Sequence, residues 1–334
     1  MSIFQGEQIE TLKKYIAESE HCVIIAHKSP DGDSVGSSLG LYHYLKDKGL
    51  NVQVCHPDPA PHFLHWLPGA ESILNGEEHM DKVKGLIEKA DLIFCLDFND
   101  TSRVGSLTKS LQNAIANKVM IDHHLHPKDE FDLQFSDTKA CSTAQLITQM
   151  IIALGDKALL NETIGTPLYC GIMTDTGSFR FSSVTPETHE IIADLMRAGV
   201  ESYKVHESVF DTNTLSRLKL RGYATNDKLE LIQGGRTAIM SLAQAELAMF
   251  NYQKGDTEGL VNIGLSITGV DRSIFFKESD GIIKISFRSK GKDNPVNTLA
   301  SEYFGGGGHA NAAGGKWEGT MDEAIDKLKQ VIKD

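Results

Sequence analysis

The sequence predicts an α/β protein: an N-terminal, mostly parallel sheet flanked by helices, a helical linker, and a smaller C-terminal α+β domain. In the first half, short apolar runs rich in β-branched residues alternate with amphipathic helical patterns, which is typical of parallel sheets. The middle of the chain is helical and polar, and short strand patterns dominate the last third. A chain of 334 residues is long enough for two domains.

The elements follow from the spacing of apolar residues along the chain. Apolar residues that recur every three to four positions predict helices at 7–19, 36–48, 142–154, 161–173, 296–304 and 321–332. Short apolar runs predict strands at 22–26, 51–55, 91–96, 118–121, 229–232, 237–240, 273–277 and 282–287. We therefore expect a first domain over residues 1–188, a helical linker over 189–225, and a second domain over 226–334.

Composition limits the functions that this chain can have. A formal net charge of −12 argues against a broad basic face for long duplex nucleic acid, but it leaves room for short nucleotides. The five cysteines are scattered without a Cys-x-x-Cys pair, so no disulfide framework or structural zinc site is indicated. We find no signal-peptide pattern and no apolar run of membrane-spanning length. A cytoplasmic protein with no membrane partner is expected.

Acidic and histidine side chains follow four of the predicted elements at the point where each one ends. In an open parallel sheet, ligands bind at the carboxyl ends of the strands, so these side chains are expected to converge. Each cluster alone has an ordinary explanation, such as a solvated Asp-Gly turn that caps a helix. Four clusters at equivalent positions favour a common site formed by His27, Asp31, Asp33, Asp97, the run Asp122-His123-His124, and Asp175.

The ligand types in these clusters predict the kind of metal site. Four carboxylates and two imidazoles are too acidic a set for a closed tetrahedral zinc site; they suit Mn²⁺, Mg²⁺, Fe²⁺ or Co²⁺ in an open geometry. Six ligands can serve two ions about 3.5–4 Å apart if one carboxylate bridges them. The candidate ligands are His27, Asp31, Asp33, Asp97, His123 and Asp175.

The order of these motifs resembles the DHH phosphoesterase superfamily, which includes RecJ-type exonucleases and family II inorganic pyrophosphatases. The likeness covers nearly the whole chain, because the four glycines at 305–308 and His309 are similar to the signature of the DHH-associated C-terminal domain. In length and arrangement the chain is most similar to the two-domain oligoribonucleotidase (nano-RNase) and 3′-phosphoadenosine 5′-phosphate (pAp) phosphatase group.

The resemblance implies a role for each matched residue. His27 and Asp31 would hold one metal ion, and Asp97 would bridge to a second ion. The ligands of the second ion would be Asp33, His123 and Asp175. Asp122 would orient a ligand imidazole, and His124 would contact the scissile phosphate or its leaving oxygen.

The glycine run is by itself more typical of a flexible turn. Together with the resemblance, it predicts a phosphate clamp, because glycines let backbone N–H groups approach an anion and an arginine adds a bidentate partner. The clamp candidates are Arg288, Gly307, Gly308 and His309, with Ser289 and Asn297 as lesser ones. Arg103 could reach substrate from the first domain, although a surface salt bridge is a competing explanation.

We therefore predict a metal-dependent phosphodiesterase or phosphatase that acts on short oligonucleotides, linear dinucleotides such as pApA, or pAp, and releases nucleoside monophosphates. Two Mn²⁺ ions are expected as cofactors, with Mg²⁺ or Co²⁺ as substitutes, and a homodimer is considered. Cyclic-dinucleotide hydrolysis and inorganic pyrophosphate hydrolysis are the enzymatic alternatives. A nucleotide-binding sensor without catalysis is the alternative outside the enzymes.

Overall fold

In the computed structural model, which describes residues 3–332, the chain divides into two compact units, Met1–Thr212 and Asn213–Asp334. The division lies inside the segment predicted as a linker, but the predicted boundaries at residues 188 and 225 stay a prediction. Each unit has its own sheet and its own apolar cores. The predicted α/β class, with a parallel sheet followed by a second sheet domain, is confirmed.

The first unit is built on a six-stranded sheet in the order β3-β2-β1-β4-β5-β6, and every adjacent pair is parallel. Its strands are β1 (His21–Ala26), β2 (Asn51–His56), β3 (Leu74–Asn75), β4 (Leu92–Leu96), β5 (Asn117–Asp122) and β6 (Leu133–Ser136). Its helices are α1 (Gly6–Glu18), α2 (Gly32–Asp47), α3 (Gly76–Lys89), α4 (Thr108–Asn113), α5 (Thr143–Ala153), α6 (Glu162–Asp175), α7 (Pro186–Arg197) and α8 (Ser202–Phe210).

Successive residues of the central strands enter different cores, because side chains alternate between the two faces of a sheet. Ile24 and Phe94 pack into a core covered by α1, α2, α5, α6, α7 and α8. Ile25 and Cys95 pack into a second core, which α3 and α4 cover on the opposite face. Burial on both faces explains why these strands are continuous apolar runs rather than alternating ones.

The strand order reverses between β1 and β4. From β1 the chain builds outward through β2 and β3, and it then crosses to β4 and builds the other way. Ligands of open α/β sheets bind at such a reversal, outside the carboxyl ends of the strands. Ala26 pairs with Leu96, and Leu96 pairs with Ile121, so the residues after β1, β4 and the last residue of β5 stand side by side.

Glycines on one face of α2 bring this helix unusually close to α6. A Cβ built on Gly36 would lie 2.4 Å from the carbonyl oxygen of Pro167 and 2.9 Å from the nitrogen of Gly171. Gly32, one turn earlier, would meet the Thr174 side chain at 2.2 Å. The two helices run antiparallel, so the first turn of α2 lies beside the last turn of α6.

The second unit has a six-stranded sheet in the order β11-β12-β10-β9-β8-β7, antiparallel except for the parallel pair β8–β9. Its strands are β7 (Leu229–Ile232), β8 (Thr237–Leu242), β9 (Arg272–Ser279), β10 (Ile282–Ser289), β11 (Gly307–His309) and β12 (Ala312–Trp317). Its helices are α9 (Leu215–Asn226), α10 (Gln244–Met249), α11 (Leu260–Leu265), α12 (Asn297–Tyr303) and α13 (Met321–Val331).

Several elements differ from the sequence prediction. Helix α2 begins at Gly32 rather than residue 36, because the Asp31 carboxylate accepts the N–H groups of Asp33 and Ser34 and caps the helix there. Helix α6 continues through Asp175 instead of ending at residue 173. Helix α3 and the hairpin formed by β11 and β12 were not predicted.

No helix within residues 3–332 is long and apolar enough to cross a membrane. The cytoplasmic location stays a prediction.

We expect Gly36→Ala to lower the free energy of unfolding by roughly 1–3 kcal/mol, because the new methyl group must push backbone atoms of α6 away. Gly85→Ala in α3 is the matched control, since nothing lies within 4 Å of its added Cβ. That change should raise stability by about 0.5–1 kcal/mol through helix propensity. Urea unfolding of both variants measures the difference. Equal effects of the same sign would contradict the close contact.

Candidate metal centre

The predicted ligands of the first unit meet at the carboxyl edge of its sheet. His27 follows β1, Asp97 follows β4, and His123 follows β5. The remaining predicted ligands lie at helix ends, with Asp31 and Asp33 at the start of α2 and Asp175 as the last residue of α6. The close contact of α2 with α6 is what brings those helix ends to the same place.

His123 lies at the centre of one group of carboxylates. Its Nε2 is 3.5 Å from Asp97 Oδ1, 3.6 Å from Asp175 Oδ2 and 3.8 Å from Asp33 Oδ2. Its Nδ1 is 3.3 Å from the carbonyl oxygen of Ala140, and because a carbonyl oxygen only accepts, Nδ1 is the donor of that bond. Nε2 is therefore the nitrogen that faces the three carboxylates. Ligating histidines in proteins are held in this way.

His27 forms the second group. Its Nε2 is 3.3 Å from Asp97 Oδ2 and 3.8 Å from Asp31 Oδ2. Its Nδ1 is 2.8 Å from the carbonyl oxygen of Lys28, so Nδ1 again donates to the backbone and Nε2 faces the carboxylates. Asp97 is common to both groups, with one oxygen toward each histidine.

Asp33 is buried, and the first turn of α5 holds its carboxylate. The backbone N–H groups of Thr143 and Ala144 donate to Asp33 Oδ2 at 2.6 Å and to Oδ1 at 2.9 Å. The Thr143 hydroxyl donates to Asp97 Oδ1 at 3.0 Å. The free N–H groups at a helix N-terminus stabilise an anion. Sequence reasoning missed Thr143, although Ser142 before it has the signature of a helix cap.

The charges of the cluster are unbalanced without a cation. Burial, together with the neighbouring charges of Asp97 and Asp175, raises the pKa of Asp33 well above its usual range. Burial and the charges of Asp31 and Asp97 also raise the pKa of Asp175, to about 6, against the opposing effect of His123. Carboxylates crowded in this way need positive charge to ionise together. Converging carboxylate oxygens and imidazole nitrogens therefore fit divalent cations.

For the two buried histidines, the neighbouring carboxylates favour the charged form. Burial alone would lower the pKa of His27, but the hydrogen bond to Asp97 and the charges of Asp31 and Asp97 outweigh it and raise the pKa to about 9. Asp97 itself is buried, yet its bonds to His123 and His27 hold its pKa well below the usual range. Asp97 is thus the carboxylate that the cluster keeps ionised.

Asp122 and His124 form a separate pair beside this cluster. Asp122 is fully buried at the end of β5, and its Oδ1 accepts a 2.7 Å hydrogen bond from Nδ1 of His124. Its Oδ2 accepts the backbone N–H of His124 at 3.0 Å. This fixes the His124 ring and leaves Nε2 as the nitrogen that is free of the Asp122 bond. The His124 side chain keeps 15% of its surface exposed.

His56 is a buried polar residue that sequence reasoning also missed. It ends β2, next to β1 in the sheet, and its Nε2 lies 3.1 Å from the Ser38 hydroxyl. Burial, with a smaller contribution from the charge of His27, lowers the pKa of His56 to about 3. His56 is therefore a neutral histidine within the sheet edge, and no pattern in the sequence distinguishes it from a core residue.

The predicted clamp residues lie near one another in the second unit. Arg288 and Ser289 end β10, and Arg288 pairs with Ala312 of β12. Asn311, in the β11–β12 turn, donates its side-chain N–H to the Ser289 hydroxyl at 2.8 Å. Gly307, Gly308 and His309 form β11, and Asn297 begins α12.

The glycine run has a packing reason as well as the predicted binding role. A Cβ on Gly306 would lie 1.9 Å from the Gly314 carbonyl oxygen, and one on Gly308 would lie 2.5 Å from that of Ala312. Gly307 has open space beside it. Glycine is thus required at 306 and 308 for the hairpin itself.

Arg103 lies in the first unit beside the metal-ligand candidates. It is part of a 3₁₀ segment, Thr101–Leu107, and its carbonyl oxygen accepts the N–H of Lys28, the residue after His27. Within the part of the chain that the structure describes, its guanidinium forms no salt bridge, so the competing explanation for this arginine has no support there.

Comparison with known proteins agrees with this geometry. Residues 21–172 match the model of the DHH family, N-terminal domain, and residues 240–334 match that of the DHHA1 domain. A protein of Thermus thermophilus named bifunctional oligoribonuclease and PAP phosphatase NrnA is 31% identical over 93% of this chain and 89% of its own. A cyclic-di-AMP phosphodiesterase, GdpP of Geobacillus thermodenitrificans, is 27% identical over 97% of this chain but 49% of its own.

A solved structure agrees over both units. The crystal structure of an exopolyphosphatase-related protein from Bacteroides fragilis has a TM-score of 0.93 and 39% identity, and the match covers 97% of this chain and 94% of that one. The resemblance drawn from the sequence motifs is confirmed. The chain belongs to the DHH family of metal-dependent phosphoesterases and carries a DHHA1 domain over residues 240–334.

Proposed function

We propose that this protein hydrolyses phosphoester bonds in short oligonucleotides, linear dinucleotides such as pApA, or pAp, and releases nucleoside monophosphates. The observation that carries the proposal is the convergence of two imidazoles and four carboxylates at the reversal point of a parallel sheet. The name of the Thermus relative supports the substrate class, since the match extends over most of both chains.

We propose that the centre holds two divalent ions, with Mn²⁺ preferred over Mg²⁺ or Co²⁺. One group would consist of His27, Asp31 and Asp97, and the other of Asp33, His123 and Asp175 together with Asp97. Both histidines turn Nε2 toward the carboxylates and hold Nδ1 on a backbone carbonyl oxygen, which supports these assignments. Divalent ions bound there supply positive charge that lowers the pKa of water and offsets the charge developing on phosphate.

His124 is proposed to act on the phosphate through Nε2. Asp122 holds Nδ1–H, so the imidazole keeps one orientation and one tautomer. With Nδ1–H held by Asp122, Nε2 is the nitrogen through which His124 would carry a proton to the leaving oxygen. Asp122 is thus a positioning residue that acts through His124.

The second unit is proposed to bind substrate. Arg288 and His309 would contact phosphate, with Ser289 and Asn297 nearby and the backbone of Gly307 and Gly308 accessible to an anion. Arg103 is a further candidate from the first unit. A guanidinium recognises phosphate through paired, charge-assisted hydrogen bonds.

The net charge of −12 supports short substrates over long duplexes. The predicted homodimer stays a prediction.

Cyclic-dinucleotide hydrolysis is the second candidate, because the Geobacillus relative is named a cyclic-di-AMP phosphodiesterase. This chain spans about half of that protein, so the name transfers less directly. Inorganic pyrophosphate hydrolysis, the other enzymatic alternative, has no such support among these relatives. Assaying pApA, pAp, cyclic di-AMP and pyrophosphate side by side with Mn²⁺ and Mg²⁺ separates the three activities.

Replacement of His124 by alanine should reduce kcat for pApA in Mn²⁺ by about 10²- to 10⁴-fold, because the proton donor is lost while the metal ligands stay. Steady-state kinetics with pApA measure it, and the thermal unfolding midpoint confirms folding. His126→Asn is the control, since His126 is exposed and adopts a positive φ that asparagine tolerates. Unchanged turnover of the His124 variant would refute its role.

Thr143→Val should weaken Mn²⁺ binding about tenfold, because Asp97 loses the hydroxyl that orients its carboxylate. Valine keeps the shape and β-branching of threonine, so the helix start is preserved. Isothermal titration calorimetry with Mn²⁺ gives the affinity directly. Thr143→Ser retains the hydroxyl and should bind like the parent chain; an equal loss in both variants would show that the hydroxyl is irrelevant.

Arg288→Ala should raise KM for pApA about tenfold or more with little change in kcat, since it removes a charge-assisted bond made in both ground and transition states. Arg236→Ala is the matched control in the same unit, because its guanidinium is already paired with Asp271 at 2.7 Å. The kinetics of both variants are measured with pApA. An effect on kcat alone would contradict a binding role.

A further inference from the structure

A strained turn directly follows the predicted metal ligand at the end of α6. Gly177, Ser178 and Phe179 have successive φ angles of +57°, +63° and +63°. This left-handed conformation is unfavourable for residues with a side chain, and three in a row are rare. Such conformations persist where the surroundings impose them, and they cluster at ligand-binding sites.

Thr176 imposes the conformation through a dense set of hydrogen bonds. Its carbonyl oxygen accepts the N–H groups of Arg180 at 3.0 Å and Phe181 at 3.1 Å. Its hydroxyl accepts the N–H of Phe179 at 3.0 Å. Nε of Arg180 donates to the Gly177 carbonyl oxygen at 2.7 Å. Residues 177–181 are therefore a preformed turn.

The two phenylalanines of this turn have different surroundings. The ring of Phe179 lies among three others, with centroid distances of 5.8 Å to Tyr169, 6.0 Å to His189 and 6.3 Å to His206. Aromatic contacts at this spacing are stabilising. Phe179 thus anchors the turn to α6, α7 and α8.

Phe181 has no such partners, and 42% of its surface is exposed. Among residues 3–332, no aromatic ring or cation stacks on it. The outer edge of its ring lies against Gly177, where any Cβ would come within 2.5 Å of the ring carbon Cζ. Glycine at 177 therefore both adopts the positive φ and leaves the space that the Phe181 ring occupies.

Position distinguishes Phe181 from an ordinary exposed apolar residue, of which every protein has several. Its ring rests on Gly177, two residues after Asp175, so the Cα atoms of Gly177 and Asp175 are at most about 7.6 Å apart. A flat apolar surface is thus held close to the candidate metal centre. In a nucleotide, a flat base is separated from the phosphate by a single sugar.

We propose that Phe181 is the surface on which one base of the substrate stacks, so that it selects nucleotides over phosphate esters without a base. Aromatic side chains bind bases this way with little sequence preference. Arg180, which makes no salt bridge within the described residues, adds a positive charge to the same turn. The inference rests on the proposed function and adds a specificity-determining residue to it.

Phe181→Ala should raise KM for pApA about tenfold, with little effect on kcat, because a stacked base contributes about that much to binding. Phe181→Tyr keeps the ring and should restore the parent KM. Tyr203→Ala is the matched control, since Tyr203 is a 62% exposed aromatic residue of α8. It should change neither constant.

Two analogues of pApA, each lacking one adenine, locate the contact. With the analogue that lacks the stacked base, Phe181→Ala should cause no further loss, because the two changes remove the same interaction. With the other analogue, the tenfold loss should remain. Equal losses with pApA and both analogues would show that Phe181 only supports the turn, and would overturn the proposal.

Binding without turnover separates this inference from the proposed function. A pApA analogue with 2-aminopurine in place of adenine is titrated with the protein in EDTA. Stacking should quench the fluorescence of the 2-aminopurine. The analogue should bind the Phe181→Ala variant about tenfold more weakly than the parent protein. Equal affinity of parent and variant would refute the stacking role. If the parent enzyme binds this probe but hydrolyses no nucleotide in the panel, the proposed function fails while the stacking result stands.

Discussion

The close contact between α2 and α6 is the constraint on which the site depends. Asp31 and Asp33 lie at the start of α2, and Asp175 ends α6, so the separation of these antiparallel helices sets the distance between their carboxylates. Gly32 and Gly36 remove the side chains that would hold the helices apart. Helix packing in the core thereby sets the geometry of the carboxylates at the edge of the sheet, because a close-packed interior transmits a change in helix separation.

Electrostatics is the second constraint, and it opposes the first. Helix packing forces carboxylates together in a buried place, where their mutual repulsion favours protonation. The first turn of α5 relieves part of this through two N–H bonds to Asp33, yet the pKa of Asp33 is still raised. Two imidazoles balance Asp97 but not all four acids. This imbalance is the physical reason for proposing divalent ions.

Most of the first unit was predictable, because its signals are local. Apolar runs predicted β1, β2, β4 and β5 to within two residues, and the rule for parallel sheets predicted that the residues after them would meet. The start of α2 was missed by four residues, because the Asp-Gly turn was expected to precede the helix, whereas Asp31 caps it at Gly32. The β11–β12 hairpin was missed because glycine-rich strands lack an apolar pattern.

The sequence by itself determined the kinds of ligand, their places at the ends of elements, and the family to which the chain belongs. Only the tertiary structure decided which nitrogen of each histidine faces the carboxylates, that Thr143 binds Asp97, and that Phe179 is enclosed while Phe181 is exposed. The physical reason is how far apart along the sequence the contacting residues lie. Elements form from contacts a few residues apart, whereas Thr143 and Asp33 meet across 110 residues through helix packing that no local pattern encodes.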